Sequence, residues 1–156
     1  MIKGTAICIG EDIDTDMIIA GRYLRTKDRK IWAEHVFEDL NPGLAERLNG
    51  AVIIAGKNMG CGSSREQAPV ALKEAGVVAV IAPTFARIFF RNAINVGLPL
   101  LETEGISCRD GEKVTLSLKE GWAEVAGERY TGSPLSPHMQ DILDAGGLVP
   151  YWRNKR

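Results

Sequence analysis

Ala51-Val52-Ile53-Ile54-Ala55-Gly56-Lys57-Asn58-Met59-Gly60-Cys61-Gly62-Ser63-Ser64-Arg65-Glu66 leads from an apolar run, through a glycine-rich turn, toward good helix formers over 67–75. The run 51–55 reads as a buried strand, and 67–75 keeps its apolar residues on one face of a helix. Gly56, Gly60 and Gly62 let the backbone turn tightly and approach a ligand closely. Ser63, Ser64 and Arg65 then fall where the helix is predicted to begin. Free backbone N–H groups and the positive dipole end lie there beside two hydroxyls and a guanidinium. Such a place suits a carboxylate or another oxyanion. A serine at a helix start also serves as an N-cap, but one cap accounts for one serine, not for Gly-x-Gly-Ser-Ser-Arg-Glu as a unit.

Outward from this stretch the pattern alternates. Val77-Val78-Ala79-Val80-Ile81-Ala82 is a near-continuous apolar run, as expected of a central strand covered on both faces. Pro83-Thr84 opens a predicted helix over 85–95, Gly97 ends it, and 98–102 reads as a further strand. This order argues for parallel strands with right-handed crossovers. Upstream, 2–9 alternates as a strand, 17–26 reads as extended, and 28–39 suits a helix. A turn at Asn41-Pro42-Gly43 starts a short helix that Asn49-Gly50 closes. Downstream, 112–118 and 122–130 read as an antiparallel hairpin turning near Glu120-Gly121. A last helix over 136–145 ends at Gly146-Gly147, and 148–152 reads as a strand or a tail. The fold class is α/β: residues 1–156 form a single domain whose mixed sheet combines parallel core strands with an antiparallel hairpin.

Composition narrows the function. With 156 residues the chain can bury a sizeable core, and a net charge of −1 predicts no affinity for nucleic acid or an anionic membrane surface. No apolar run reaches the roughly 18 residues of a membrane span, and the N-terminus lacks an apolar signal segment, so a cytoplasmic location is expected. Cys8, Cys61 and Cys108 form no C-x-x-C pair and suggest neither a zinc nor a self-contained iron–sulfur site. Cys61 reads as a small residue filling a tight loop rather than as a nucleophile. The acids of Glu11-Asp12-Ile13-Asp14-Thr15-Asp16 lack the glycine and distal glutamate of a calcium loop. His35 reads as a packed or half-exposed helix residue. Arg87, Arg91 and Asn95 share a helix face at i, i+4 spacing and read as a solvated row, while one of Phe89 and Phe90 falls outside the core stripe. Gly-x-Ser-x-Gly is absent, which removes the serine-hydrolase elbow.

The sequence 56–66, followed by Thr84-Phe85-Ala86-Arg87-Ile88 and Arg91-Asn92-Ala93-Ile94-Asn95-Val96-Gly97-Leu98-Pro99, resembles the swivel domain of the aconitase superfamily. The opening Gly10-Glu11-Asp12-Ile13-Asp14-Thr15-Asp16 and the Tyr23-Leu24 loop are similar to those of its free-standing form, the small subunits of 3-isopropylmalate dehydratase and homoaconitase, with one departure, the charged Arg25 of Tyr23-Leu24-Arg25-Thr26. The resemblance spans roughly residues 2–150. It implies a swivelling β/β/α fold and a large partner subunit, in a heterodimer or heterotetramer. It implies no cofactor in this chain, with a [4Fe-4S] cluster on the partner. By the same resemblance Ser63 is the base that takes the carbon-bound proton of a small di- or tricarboxylate. Ser64, Arg65, Asp16, Arg25 and Thr26 contact the substrate, and Arg25 stands where substrate choice is made.

That assignment makes physical sense. Moving a hydroxyl between adjacent carbons of a malate-type acid takes dehydration to an alkene followed by rehydration, which is hydro-lyase chemistry. The proton removed is weakly acidic, so a serine serves only if its alkoxide is held by N–H groups and a nearby cation. Arg65 can grip a carboxylate in two-point fashion. The Lewis acid for the departing hydroxide must come from another chain, which makes this chain half an active site. The competing class is a nucleotide- or anion-binding α/β module. A dinucleotide fingerprint needs a small residue where Arg65 stands and an acid about 20 residues further on, and this chain has neither.

Overall fold

The computed structural model describes residues 1–154. Seven strands and six α-helices follow one another as β1 (Ile2–Cys8), α1 (Thr15–Ile18), α2 (Arg29–Glu34), β2 (Ala51–Ile54), α3 (Gln67–Glu74), β3 (Ala79–Ala82), α4 (Arg87–Asn95), β4 (Leu100–Thr103), β5 (Lys113–Ser117), β6 (Trp122–Val125), β7 (Glu128–Ser133), α5 (Pro137–Ala145) and α6 (Leu148–Asn154). Strands β1 to β4 pair in parallel in that order. β5, β6 and β7 form an antiparallel meander. The meander joins both edges of the parallel half, β5 to β1 and β7 to β4, and so closes a barrel. The mixed sheet and its parallel core agree with the sequence; closure carries no local signal, because it depends on β1 pairing with β5, more than 100 residues away.

Side-chain alternation divides the parallel strands between two cores. Ala6, Val52, Ile54, Ala79, Ile81 and Leu101 pack with Val114, Leu116, Ala123 and Val125 of the meander inside the barrel. The intervening Ile7, Ile53, Val80 and Leu100 pack outward with Leu72 of α3 and Phe89 and Ala93 of α4. Both faces are covered, which is why these strands read as unbroken apolar runs.

Four local expectations are corrected. Residues 17–26 are not extended: Asp14 Oδ1 accepts from Met17 N–H and caps α1, and a 3-10 turn follows over Gly21–Tyr23. The acids read upstream of an extended piece therefore cap and open a helix. The helix expected over 28–39 stops at Glu34, and Phe37 takes φ +61° with its N–H bonded to Ile18 O. Residues 122–130 are two strands, because Ala126 and Gly127 both have positive φ and reverse the chain between them. Residues 148–152 belong to α6, which folds back after the left-handed Gly146 cap of α5.

Cys8, at the end of β1, is disulfide-bonded to Cys108 across a sequence separation of 100, with the Cα atoms 6.1 Å apart. Cys8 N–H also donates to Asp110 Oδ1 at 2.7 Å. The link ties the parallel half to the segment that enters the meander. No helix among the described residues is long and apolar enough to cross a membrane.

Candidate active site

The glycine loop 56–66 leaves the end of β2 and runs between two other loops, held by main-chain bonds on both sides. On one side Asp12 N–H donates to Lys57 O, Gly60 N–H to Ile13 O at 2.7 Å, and Thr15 N–H to Cys61 O at 2.9 Å. On the other, Met59 N–H donates to Thr84 O and Ala86 N–H to Met59 O. The three aspartates of 11–16 are partnered: Asp12 accepts from Asn58 Nδ2, Asp14 caps α1, and Asp16 pairs with Arg65 at 2.6 Å. Their clustering therefore reflects loop closure.

Gly60 sits at φ +85°, and a Cβ there would lie 2.2–2.6 Å from the side chain of Phe89. Only glycine fits both constraints. Gly60→Ala is expected to destabilise the chain by roughly 2–5 kcal/mol, through left-handed strain and overpacking together. Equilibrium urea unfolding checks it: the midpoint falls while the slope stays constant.

Ser63, Ser64 and Arg65 line a cavity of about 190 Å³, shared with Thr15, Arg87 and Asn92. The serines do not cap a helix. α3 begins at Gln67 with Glu66 at its cap position and no side-chain cap bond, so they lie in the irregular turn before it. The dipole reading is corrected accordingly: Ser63 stands upstream of the first helical turn. What holds it is Thr15, only 2% exposed, whose hydroxyl donates to Ser63 O at 2.8 Å and lies 3.2 Å from Ser63 Oγ. The single Thr15 proton goes to the carbonyl, which leaves the Ser63 hydroxyl as donor in the second contact.

Arg65 Nη1 donates to Ile19 O at 3.1 Å while bonded to Asp16, and the guanidinium lies over Gly21, with Nη2 3.5 Å from where a Cβ would stand. Asp16 is thus beside the predicted carboxylate-binding arginine. Arg25 and Thr26 do not line the cavity. Arg25 is exposed, and Thr26 Oγ1 accepts from Asp28 N–H at the start of α2. Sequence reasoning missed Thr15, Arg87 and Asn92 as cavity-lining residues. The i, i+4 row of Arg87, Arg91 and Asn95 reads as a solvated face, whereas Arg87 and Asn92 of α4 line the cavity with the serines. Phe89 is buried, Phe90 is half-buried, and Ile88 beside them is 53% exposed at the cavity rim.

The Cys61 thiol is free, and burial, with Asp14 and Asp12 nearby, pushes its pKa up. A raised pKa is the reverse of what a thiolate nucleophile needs. Cys8 and Cys108 are committed to each other, and among the described residues no three His, Cys, Asp or Glu side chains are grouped to hold a metal ion. The donor set does not fit an iron–sulfur cluster in this chain.

Residues 9–104 match the model of the aconitase C-terminal domain. The chain is 50% identical to 3-isopropylmalate dehydratase small subunit 1 of Methanopyrus kandleri, covering 96% of this chain and 91% of that one. It is 49% identical to the methanogen homoaconitase small subunit of Methanothermobacter thermautotrophicus, covering 97% and 91%. The crystal structure of 3-isopropylmalate dehydratase from Methanocaldococcus jannaschii superposes with a TM-score of 0.93 at 42% identity, covering 99% of this chain and 94% of that one.

Proposed function

The chain belongs to the aconitase C-terminal domain family, among the free-standing small subunits of the 3-isopropylmalate dehydratase group, and from that premise we propose that it interconverts 2-isopropylmalate and 3-isopropylmalate with a large subunit, as a step of leucine biosynthesis. The observation that carries this reading is the Ser63-Ser64-Arg65 wall of the cavity, with Ser63 fixed by buried Thr15 and Arg65 fixed over Gly21. Arg65 takes a substrate carboxylate, exchanging its contact with Asp16 for a two-point grip on the ligand. As the alkoxide, Ser63 Oγ takes the carbon-bound proton on dehydration, becoming the hydroxyl, and returns that proton on rehydration. Ser64 offers a further hydroxyl to the same carboxylate. A [4Fe-4S] cluster bound by the large subunit supplies the Lewis acid for the departing hydroxide.

A second reading has support of its own. Arg25 is a free cation on the loop 20–26, among the described residues without hydrogen bond or ion pair, and one relative is named a homoaconitase small subunit. A homocitrate-type acid ends in a carboxylate where isopropylmalate carries a branched apolar group. Co-expression with a candidate large subunit, followed by kinetics on isopropylmalate and on homocitrate or homoaconitate, distinguishes the two. The purified small subunit alone is expected to fold and to show no dehydratase activity, because half a cavity cannot supply the Lewis acid. Turnover by the metal-free chain in an ultraviolet assay for the alkene product contradicts the proposal.

A further inference from the structure

We propose that Glu38, which lies outside the cavity, is a positioning residue for the substrate: its carboxylate fixes the loop 20–26 and, through Gly21, the seat of the Arg65 guanidinium. This inference rests on the reading of Arg65 as the carboxylate-binding residue.

Tyr23 and Leu24 rest on the core, and the loop's main-chain to main-chain hydrogen bonds are local, Tyr23 N–H to Ala20 O and Leu24 N–H to Gly21 O. Three side chains converge instead on one carboxylate. Tyr23 O–H donates to Glu38 Oε1 at 2.5 Å, Arg22 Nη2 donates to the same oxygen at 2.9 Å, and His35 Nδ1 bonds Oε2. These donors hold Glu38 ionised, its pKa lowered to about 2 by Tyr23, then His35, then Arg22. An ionised carboxylate only accepts, so His35 Nδ1 carries the proton in that bond.

The rings reinforce the arrangement. Tyr23 stacks on His35 with centroids 4.1 Å apart and planes within 10°, and the Arg22 guanidinium lies 4.9 Å from the Tyr23 ring centroid. Arg22 also makes a two-point contact with Asp39, at 2.7 and 3.2 Å. The platform itself is anchored, because Phe37 N–H bonds Ile18 O at the end of α1 and Trp32, 8% exposed, donates from Nε1 to Tyr23 O. Glu38 thus ties the turn after α2 to Arg22 and Tyr23, which follow Gly21 directly. Gly21 presents the surface on which Arg65 rests, and Arg25 leaves the same loop two residues after Tyr23.

The functional consequence is specific. Freeing the loop lets Arg65 and Arg25 sample orientations that do not meet the substrate, so binding weakens while Ser63, the proton acceptor, and Thr15, which holds it, stay in place.

The test uses the reconstituted two-subunit enzyme with Glu38→Gln, Tyr23→Phe and the double variant, each assayed with isopropylmalate and with a homocitrate-type acid. Glu38→Gln is expected to raise KM about tenfold with kcat within about threefold, and to change the kcat/KM ratio between the two acids. Tyr23→Phe, which removes one donor and keeps the ring stack, is expected to raise KM by about threefold, and the double variant to add little to Glu38→Gln, as members of one network do. Glu38→Asp is expected to recover less than half of the loss, since the shorter chain cannot meet all three donors.

If Glu38→Gln proves poorly folded by circular dichroism, Tyr23→Phe alone decides. KM values within twofold of wild type in the folded variants overturn the inference, as does a fall in kcat with KM unchanged. Arg65→Lys separates this outcome from failure of the site reading. If Arg65→Lys raises KM while Glu38→Gln does not, only the role of Glu38 is lost. If Arg65→Lys leaves KM unchanged, the carboxylate-binding assignment falls and this inference with it.

Discussion

Replacing Ser63 with alanine is expected to lower kcat of the two-subunit enzyme by about 10²–10⁴-fold, the range for losing a positioned acid–base group, while assembly with the large subunit is retained. The side chain is small and exposed, so its removal leaves no buried cavity. The Thr15 bond to the Ser63 carbonyl also survives, because the backbone is unchanged. Loss of rate without loss of fold is therefore the signature of chemistry at Oγ. Ser64→Ala is the control, expected to act mainly through KM as a carboxylate contact. Single-turnover kinetics with both variants decides the matter: near-full turnover in Ser63→Ala together with a collapse in Ser64→Ala moves the base to Ser64.

Arg25→Val is expected to shift the ratio of kcat/KM toward isopropylmalate over homocitrate-type acids by about 10- to 10³-fold, the effect of removing a charged contact to one substrate's distal carboxylate. A cation buried against a branched apolar group is costly, and a valine in its place welcomes that group. The isolated chain leaves Arg25 exposed and outside the serine cavity, so the proposed role in substrate choice requires a surface supplied by the large subunit. Competition kinetics with both acids in one reaction reads the shift directly. Parallel changes for both substrates mean that Arg25 does not discriminate between them.

The sequence disclosed the parts of this molecule that rest on periodicity and turn chemistry. The apolar runs around Val52-Ile53-Ile54 and Val80-Ile81 marked strands covered on both faces, and Gly97 and Gly146 marked helix ends. It misled where a side chain overrode the local pattern. Asp14 turned 15–18 into a helix, and the positive φ of Ala126, a residue that rarely adopts it, concealed a second hairpin turn. The motif around Ser63 and Arg65 was legible because its residue types are uncommon together. Thr15 was not, since a threonine among acids signals nothing until the fold brings it to the Ser63 carbonyl. Arg87 and Asn92 were likewise obscured by an i, i+4 rule that records shared faces without saying which face meets the loop. The Cys8–Cys108 link joins positions 100 apart with no spacing rule to reveal it.

The order in which the barrel closes has a consequence for a chain emerging from the ribosome. Once the first four strands are out, β1 and β4 are bare edges with unpaired N–H and C=O groups, and Val52, Ile54 and Ile81 face solvent where the barrel interior should be. β5 can cover the β1 edge once Ser117 has emerged, but the β4 edge stays bare until synthesis reaches Ser133 and β7 seats on it. While the roughly thirty residues between Thr103 and Ser133 are being added, the nascent domain is an open sheet with a sticky face, the form most inclined to pair with a neighbour. Premature termination between Thr103 and Glu128 should therefore yield aggregates rather than a smaller soluble domain.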